Sequence, residues 1–304
     1  MEAELQLARI VDSHDFAAVL AETLRIYAHH SPSPGCRKLR DRQAIIESLY
    51  AGRFPGYRRC LVEYHDFRHT MDVLLATARL LDGYNLEGTP LPADLACDLL
   101  AAALLHDTGY VQEDWDTAGT GAKYTHNHEQ RSVEFARRNA AALDIQERSL
   151  GGIARMIQAT DLKLDFASIP YASDDERAAG AILASADLLG QMADRDYLEK
   201  LLFLYYEFRE AGIPGNDTEF DILRKTRGFY ESTRKRLEVS LSGMHRLARL
   251  HFRERYGVDR NLYLVAIERQ MAYLDAIIAD STTNFRQKLH RGDQKRLNEL
   301  VSRN

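Results

Sequence analysis

Hydrophobic residues recur along the chain at the three- and four-residue spacing that places them on one face of an α-helix. This pattern predicts helices over residues 15–30, 40–52, 64–84, 93–107, 127–143, 148–161, 176–192, 196–210, 220–256 and 260–279. No segment alternates apolar and polar residues for long enough to require a β-strand. The sequence therefore predicts an all-α fold.

The chain shows no feature that would divide it into separate domains. It contains no repeat of fixed period and no low-complexity linker, which are the usual signs of arrays and of domain boundaries. We interpret residues 1–304 as a single domain, with a core at about 45–215 and peripheral helices at 1–44 and 216–304. The helix over 93–107 is apolar on nearly every side, so we expect it to be central and buried.

Composition and charge restrict the class of protein. Hydrophobic residues make up 45% and charged residues 28% of the chain, which is typical of globular proteins. The net charge of −5 argues against nucleic acid as a partner, and no apolar run reaches transmembrane length. The acidic start does not resemble a signal peptide, and Cys36, Cys60 and Cys97 form no closely spaced pair. We therefore expect a cytoplasmic protein without a membrane partner. The long C-terminal helices are compatible with a homodimer.

Histidine is concentrated in one stretch of the chain. Of the 11 histidines, five lie within residues 65–128: His65, His69, His106, His126 and His128. We interpret the other six as structural or solvated residues: His14, His29, His30, His245, His251 and His290. The clustered five are candidates for chemistry, because imidazole binds metals and transfers protons near neutral pH.

Two of the clustered histidines share a predicted helix. His65 and His69 are four residues apart, so a helix starting near Tyr64 would place both rings on one face. Asp72 lies three residues further on and would share that face. Its carboxylate could orient the His69 ring, as carboxylates commonly do for metal-binding imidazoles.

Titratable residues also interrupt two strongly apolar helices. His106 and Asp107 end the helix over 93–107, and Asp187 lies in a helix whose neighbouring residues are small and apolar. Burying such groups costs several kcal/mol each unless they are paired or bind a cation. The alternatives without a metal are a His106–Asp107 hydrogen bond and a salt bridge from Asp187 to a C-terminal arginine. With His69 added, two imidazoles and two carboxylates suit one or two divalent ions such as Mn, Fe, Zn, Ni or Mg.

Four stretches of the chain carry a family pattern in order. Residues 64–73, YHDFRHTMDV, are similar to Y-H-N-x-x-H-x-x-D-V, and residues 106–107 match an H-D pair. Residues 156–162, MIQATDL, are similar to M-V-x-A-T-D-M, and residues 186–188 match A-D-L. These motifs resemble the HD-domain metal-dependent phosphohydrolases and, more narrowly, the catalytic domain of the class I cyclic-nucleotide phosphodiesterases (PDEase).

This resemblance implies a specific site on an HD/PDEase-like fold. It implies that four residues bind the first metal: His69, His106, Asp107 and Asp187. It further implies that Asp107 bridges to a second metal, and that His65 is not a ligand and protonates the leaving oxygen. Asp72 and Asp161 are further candidates for supporting the ligands or approaching the second metal.

The chain departs from the resembled pattern in three respects. Asp66 replaces an asparagine, and Tyr110 stands where the second histidine of H-D-x-x-H is expected. No counterpart is found of the glutamine and aromatic residue that grip a purine in that family. The stretch T-H-N-H-E-x-x-S contains His126, His128 and Glu129, and it is similar to the H-E-x-x-S element of bacterial HD domains, where such residues approach the second metal or its water.

These features favour a metal-dependent phosphohydrolase acting on a small phosphodiester or phosphomonoester, for example a nucleotide. The expected catalytic residues are His65 and Asp107. Two alternatives stay open. One is a di-iron oxygenase of the HD fold, which would cleave C–C or C–P bonds with O₂ and could use His126 and His128 as ligands. The other is an inactive HD module that binds a nucleotide or a partner. The motif match at His65 favours hydrolysis.

The residues from Arg224 to Arg255 are rich in arginine and lysine. A solvated helix face is favoured over a surface that gathers phosphate groups. On this interpretation, reversing the charges of Arg234 and Arg236 should leave the KM for an anionic substrate almost unchanged.

Overall fold

The computed structural model describes residues 5–30, 37–280, 282 and 284–289. Within these residues the chain forms α-helices joined by turns and short 3-10 segments, with no β-strand. The helices are α1 (Phe16–Ala28), α2 (Arg37–Tyr50), α3 (Phe67–Glu87), α4 (Ala93–Leu105), α5 (His128–Arg138), α6 (Glu147–Gln158), α7 (Asp174–Ala193), α8 (Tyr197–Glu210), α9 (Glu219–Lys235), α10 (Leu247–Tyr256) and α11 (Leu262–Ala279). The predicted all-α fold is confirmed. None of these helices combines the length and the apolar character needed to cross a lipid bilayer.

The centre of the fold consists of α3, α4 and α7. Buried apolar residues from α1 to α11 form one connected core, and α4 is buried along most of its length, as its sequence predicts. Helices α3 and α7 approach each other closely at Gly190, where an added Cβ would lie 3.3 Å from the backbone of Asp72 and Val73. This contact brings the C-terminal turns of α7 against the first turns of α3, which carry candidate site residues.

Helix α3 begins later than its sequence pattern suggests. The Asp66 side chain accepts a hydrogen bond from the backbone N–H of His69 at 2.9 Å, so Asp66 is the N-cap. His65 therefore precedes the helix, and the expectation that His65 and His69 share one helical face is wrong. The two rings nevertheless lie near each other, with centroids 6.0 Å apart.

The predicted helix over 220–256 is interrupted. Helix α9 ends at Lys235 and is followed by a π-helical turn, Arg236–Ser240. Ser242 and Gly243 then adopt positive φ angles of 53° and 71°, which an α-helix cannot contain. The chain turns there before α10 begins.

The buried carboxylate of Asp82 joins three helices. It accepts hydrogen bonds from His251 of α10 at 2.7 Å and from Arg255 at 2.8 Å, and it lies 2.6 Å from His30, which follows α1. These contacts agree with the structural interpretation of His30 and His251. His290 lies outside the described residues, as does Cys36.

We expect Asp82→Asn to lower the free energy of unfolding by about 3 to 5 kcal/mol at pH 7, because it leaves Arg255 and two imidazoles buried around a neutral amide. Burial alone would raise the pKa of Asp82, but the hydrogen bonds from His251 and Arg255 outweigh it and hold that pKa well below its usual value. The stabilisation is therefore fully present above the unfolded-state pKa, about 4, and is lost progressively as the pH falls from there towards the much lower folded-state pKa.

Urea denaturation of the wild type and Asp82→Asn at pH 7 and pH 3 measures this effect. The difference between their free energies of unfolding should be smaller at pH 3 than at pH 7. Asp259→Asn is the control, because Asp259 forms an exposed pair with Arg249 and its replacement should change stability little. Equal stabilities of the wild type and Asp82→Asn at pH 7 would contradict the prediction.

Candidate metal centre

Four side chains converge where α3, α4 and α7 pack together. His69 lies in the first turn of α3, His106 is the C-cap of α4 with Asp107 directly after it, and Asp187 lies in the middle of α7. The sequence places them far apart, and the packing of the three helices places them side by side. His69, His106 and Asp107 form a buried group that could hold a metal ion.

The separations between the donor atoms fit one ion. His69 Nε2 lies 3.4 Å from Asp107 Oδ2 and 3.1 Å from Asp187 Oδ1. His106 Nε2 lies 3.2 Å from Asp107 Oδ2 and 3.4 Å from His69 Nε2. With metal–ligand bonds of about 2.1 Å, neighbouring ligand atoms are about 3.0 Å apart in an octahedron and about 3.4 Å apart in a tetrahedron. Asp187 Oδ1 lies 3.7 Å from His106 Nε2, so Asp187 adjoins the buried group of three mainly through its contact with His69.

The hydrogen bonding of the cluster leaves its donor atoms free for a cation. Asp107 Oδ2 is buried, and no hydrogen bond to it is found within the described residues. Nδ1 of His106 lies 2.9 Å from the carbonyl oxygen of Ala103. An N–H at that position leaves Nε2 with its lone pair directed at the cluster, as in metal-binding histidines.

The charges around the cluster also favour a cation. Burial raises the pKa of Glu129 to about 7, and the carboxylates of Asp161, Asp107 and Asp187 add to this rise. Burial alone would lower the pKa of His106, but the carboxylate of Asp107 raises it to about 9. Both shifts show that the carboxylates of this buried region favour a positive charge beside them, which a proton provides in the absence of an ion and a divalent ion would provide in its place.

A second donor group lies on the other side of Asp107. His128 Nε2 lies 3.5 Å from Asp107 Oδ1 and 3.3 Å from Glu129 Oε1. Because Oδ2 of Asp107 faces His69 and His106, the carboxylate stands between the two groups. The geometry therefore places His128 and Glu129 where a second ion could share Asp107.

His65 lies beside this cluster and is bound by Glu207 of α8, a residue that our sequence analysis missed. Nδ1 of His65 lies 2.8 Å from Glu207 Oε2, while Glu207 Oε1 accepts hydrogen bonds from the backbone N–H groups of Glu63 and Tyr64. Burial alone would lower the pKa of His65, but Glu207 outweighs it and raises that pKa. The sequence contains one indication of this role, because Glu207 is a carboxylate within the otherwise apolar and aromatic run LLFLYYEF.

Tyr110 packs against both His65 and His128, whose own ring centroids lie 6.2 Å apart. Its ring stacks on both imidazoles with centroids 4.4 Å apart on each side, and the ring planes are tilted by 13° and 22°. The residue that replaces the expected second histidine is fully buried and contacts both the candidate proton donor and the second donor group. It fixes the position of both rings by contact.

Three other candidates have different neighbours. The carboxylate of Asp72 lies 4.0 Å from Arg68 Nε, and no contact with the His69 ring is found within the described residues, so the expectation that Asp72 orients His69 is wrong. His126 contacts the carbonyl oxygen of Ala211 at 3.2 Å and Lys163 at 3.0 Å. Asp161 Oδ1 accepts a hydrogen bond from the Lys163 N–H at 2.8 Å.

The cluster opens into a cavity of about 440 Å³, which is within the usual range for small-molecule sites. Its wall near the cluster includes His65, Asp107, His128, Glu129 and Asp187. Helices α7, α8 and α9 and the loop over residues 159–164 supply much of the remaining wall. Two of the first four candidate ligands, Asp107 and Asp187, thus face the same space as the candidate proton donor His65.

Arg236 fixes the loop that borders this cavity. Its guanidinium donates hydrogen bonds to the carbonyl oxygens of Ala159 and Asp161 at 3.0 and 2.9 Å, and to two further carbonyls of the loop. Arg234, by contrast, is exposed. Treating Arg236 as a solvated residue is therefore wrong, because its side chain supports loop 159–164.

We expect Arg236→Ala to lower the free energy of unfolding by about 2 kcal/mol, since four carbonyls lose a charged donor, and to speed proteolysis within loop 159–164. Arg236→Lys should rescue little of this loss, because a single ammonium cannot reproduce the guanidinium fork. Urea denaturation and limited proteolysis measure both effects, with Arg234→Ala as the control. Equal behaviour of the Arg234 and Arg236 variants would contradict the assignment.

Comparison with known proteins gives one family. A search of curated proteins finds no match. The family model described as Npun_R2479-like matches residues 57–235, which is more than half of the 304 residues. The matched region contains every residue of the two donor groups, together with His65 and Glu207. The chain belongs to the Npun_R2479-like family.

Proposed function

We propose that the protein is a metal-dependent phosphohydrolase that cleaves a phosphodiester or phosphomonoester. The observation that carries this proposal is that a carboxylate-bound histidine, His65, faces the same cavity as Asp107 and Asp187 of the candidate metal cluster. A proton donor placed beside a metal site is the combination that ester cleavage requires. The resemblance of the four motifs to HD-domain phosphohydrolases supports the same function.

Each donor group has a role in this proposal. His69, His106, Asp107 and Asp187 would hold the first ion, and Asp107, His128 and Glu129 would hold the second. Mn, Fe, Zn, Ni and Mg are all compatible with nitrogen and oxygen donors of this kind. When bound, such ions supply positive charge to the phosphoryl oxygens and acidify water near neutral pH.

The hydrogen bonds of His65 suit a general acid. Nδ1–H donates to Glu207 Oε2, which leaves Nε2 to hold the proton that the departing oxygen receives. Two backbone N–H groups fix the Glu207 carboxylate, so the orientation of the ring is fixed as well. Glu207 also stabilises the imidazolium form, because its charge raises the pKa of His65.

Metal analysis followed by activity assays tests this function. We expect protein purified without chelator to contain at least one divalent ion per chain and to hydrolyse members of a phosphoester panel equally well under air and under argon. Turnover that requires O₂ would instead indicate an oxygenase. Metal-loaded protein that hydrolyses no ester would contradict the proposal and favour the binding module.

A further inference from the structure

The part of the cavity beyond the metal cluster is apolar. Helices α7, α8 and α9 each present side chains to it at helical spacing, and six of these are Leu188, Leu201, Leu204, Phe208, Ile222 and Phe229. Because apolar walls bind apolar groups by removing them from water, this wall restricts what the body of a ligand can be.

The polar side chains of the same wall are mostly occupied within the fold. The Asn216 side-chain oxygen accepts a hydrogen bond from Lys225 at 3.1 Å, and the Thr226 hydroxyl donates to the carbonyl oxygen of Ile222 at 2.9 Å. Gln191 and the buried hydroxyl of Tyr197 also line this wall, and no hydrogen bond from either side chain is found within the described residues. A nucleobase needs several polar groups aimed at its edge, and this wall offers few.

We propose that the substrate is a phosphate ester whose ester group is an alkyl or aryl body, bound between α8 and α9 while the phosphate lies at the Asp107 cluster. This inference rests on the proposed hydrolase function for the head group. It adds the chemical class of the group that leaves. The side chains that would contact the body include Leu204 and Phe229.

Binding of alkylphosphonates tests the class without turnover, because their C–P bond is not an ester. Calorimetric titration of the Mn²⁺-loaded protein with butyl-, hexyl- and octylphosphonate should show the Kd falling about two- to fourfold for each added methylene. The phosphonate analogue of adenosine monophosphate should bind more weakly than octylphosphonate. A Kd that is independent of chain length, or tighter binding of the nucleotide analogue, would overturn the inference.

Two variants on α9 test whether this wall binds the alkyl chain. Phe229→Ser introduces a hydroxyl into the apolar wall and should remove most of the dependence of the phosphonate Kd on chain length. Phe220→Ser is the matched control, since the Phe220 ring packs on Phe285 at 5.3 Å and is not part of the cavity wall. Equal dependence on chain length in the two variants would also overturn the inference.

Hydrolysis of the corresponding butyl, hexyl and octyl phosphates separates this inference from the proposed function. We expect kcat/KM to rise with chain length in parallel with the phosphonate affinities. If the phosphonates bind with the expected dependence and no ester is hydrolysed, the hydrolase function fails and the assignment of the ligand body stands. If the esters are hydrolysed at rates independent of chain length, the function stands and the inference fails.

Discussion

Asp107→Ala should remove nearly all of the bound metal and lower kcat at least about a thousandfold. The reason is geometric: Asp107 Oδ2 lies 3.2 to 3.4 Å from the donor nitrogens of His69 and His106, while its Oδ1 faces His128 at 3.5 Å. Removing this one carboxylate therefore takes a ligand from both donor groups at once. Inductively coupled plasma mass spectrometry measures the metal content per chain, and a phosphoester assay measures kcat.

Asp161→Asn is the control for this prediction. Its carboxylate borders the cavity and adds to the negative charge near Glu129, but its hydrogen bond goes to the Lys163 backbone. We expect this variant to retain the metal of the first donor group. Asp187→Ala should lose metal, though less completely than Asp107→Ala, because Asp187 faces only that group. Full metal content in both Asp107→Ala and Asp187→Ala would disprove the coordination shell.

The candidate ligands could be predicted from the sequence because their signals are local. His106 and Asp107 end a helix that is apolar on nearly every side, and Asp187 interrupts a run of small apolar residues. A buried charge without a partner is too costly to be incidental, so each position indicates a cation or a partner before the fold is known. The structure brings these three residues together with His69.

The partner of His65 could not be predicted in the same way. Glu207 lies 142 residues further along the chain, and only the packing of α8 beside the start of α3 brings the two together. The i, i+4 spacing of His65 and His69 suggested one helical face instead. Asp66 prevents this by capping α3, so a local hydrogen bond overrides the spacing.

Two features of the basic C-terminal helices could not be predicted from the sequence either. Positive φ at Ser242 is not visible in the sequence, since serine is not a residue that usually adopts it, and a continuous helix was predicted across it. The same pattern made Arg234 and Arg236 look equivalent. One is exposed and the other donates to four backbone carbonyls, a difference that depends on where loop 159–164 lies.

His65→Ala should separate proton donation from metal binding. We expect this variant to keep its metal, because Glu207 and not the ion is the partner of His65 Nδ1. With an alkoxide leaving group the rate should fall by about two to four orders of magnitude, the usual range for a general acid. With 4-nitrophenolate, which departs without a proton, the loss should be much smaller. Loss of metal in His65→Ala would make His65 a ligand and would exclude the role of proton donor.

Glu207→Gln tests how His65 is held. Since the Glu207 carboxylate raises the pKa of His65, its neutral replacement should lower that pKa. A general acid loses activity as the pH rises through its pKa, so the alkaline limb of the rate profile should move to lower pH in this variant. Glu210→Gln is the matched control on the same helix, because Glu210 accepts hydrogen bonds from Thr120 at 2.8 and 2.9 Å instead. A profile shifted equally in both variants would show that Glu207 acts through general electrostatics and not through His65.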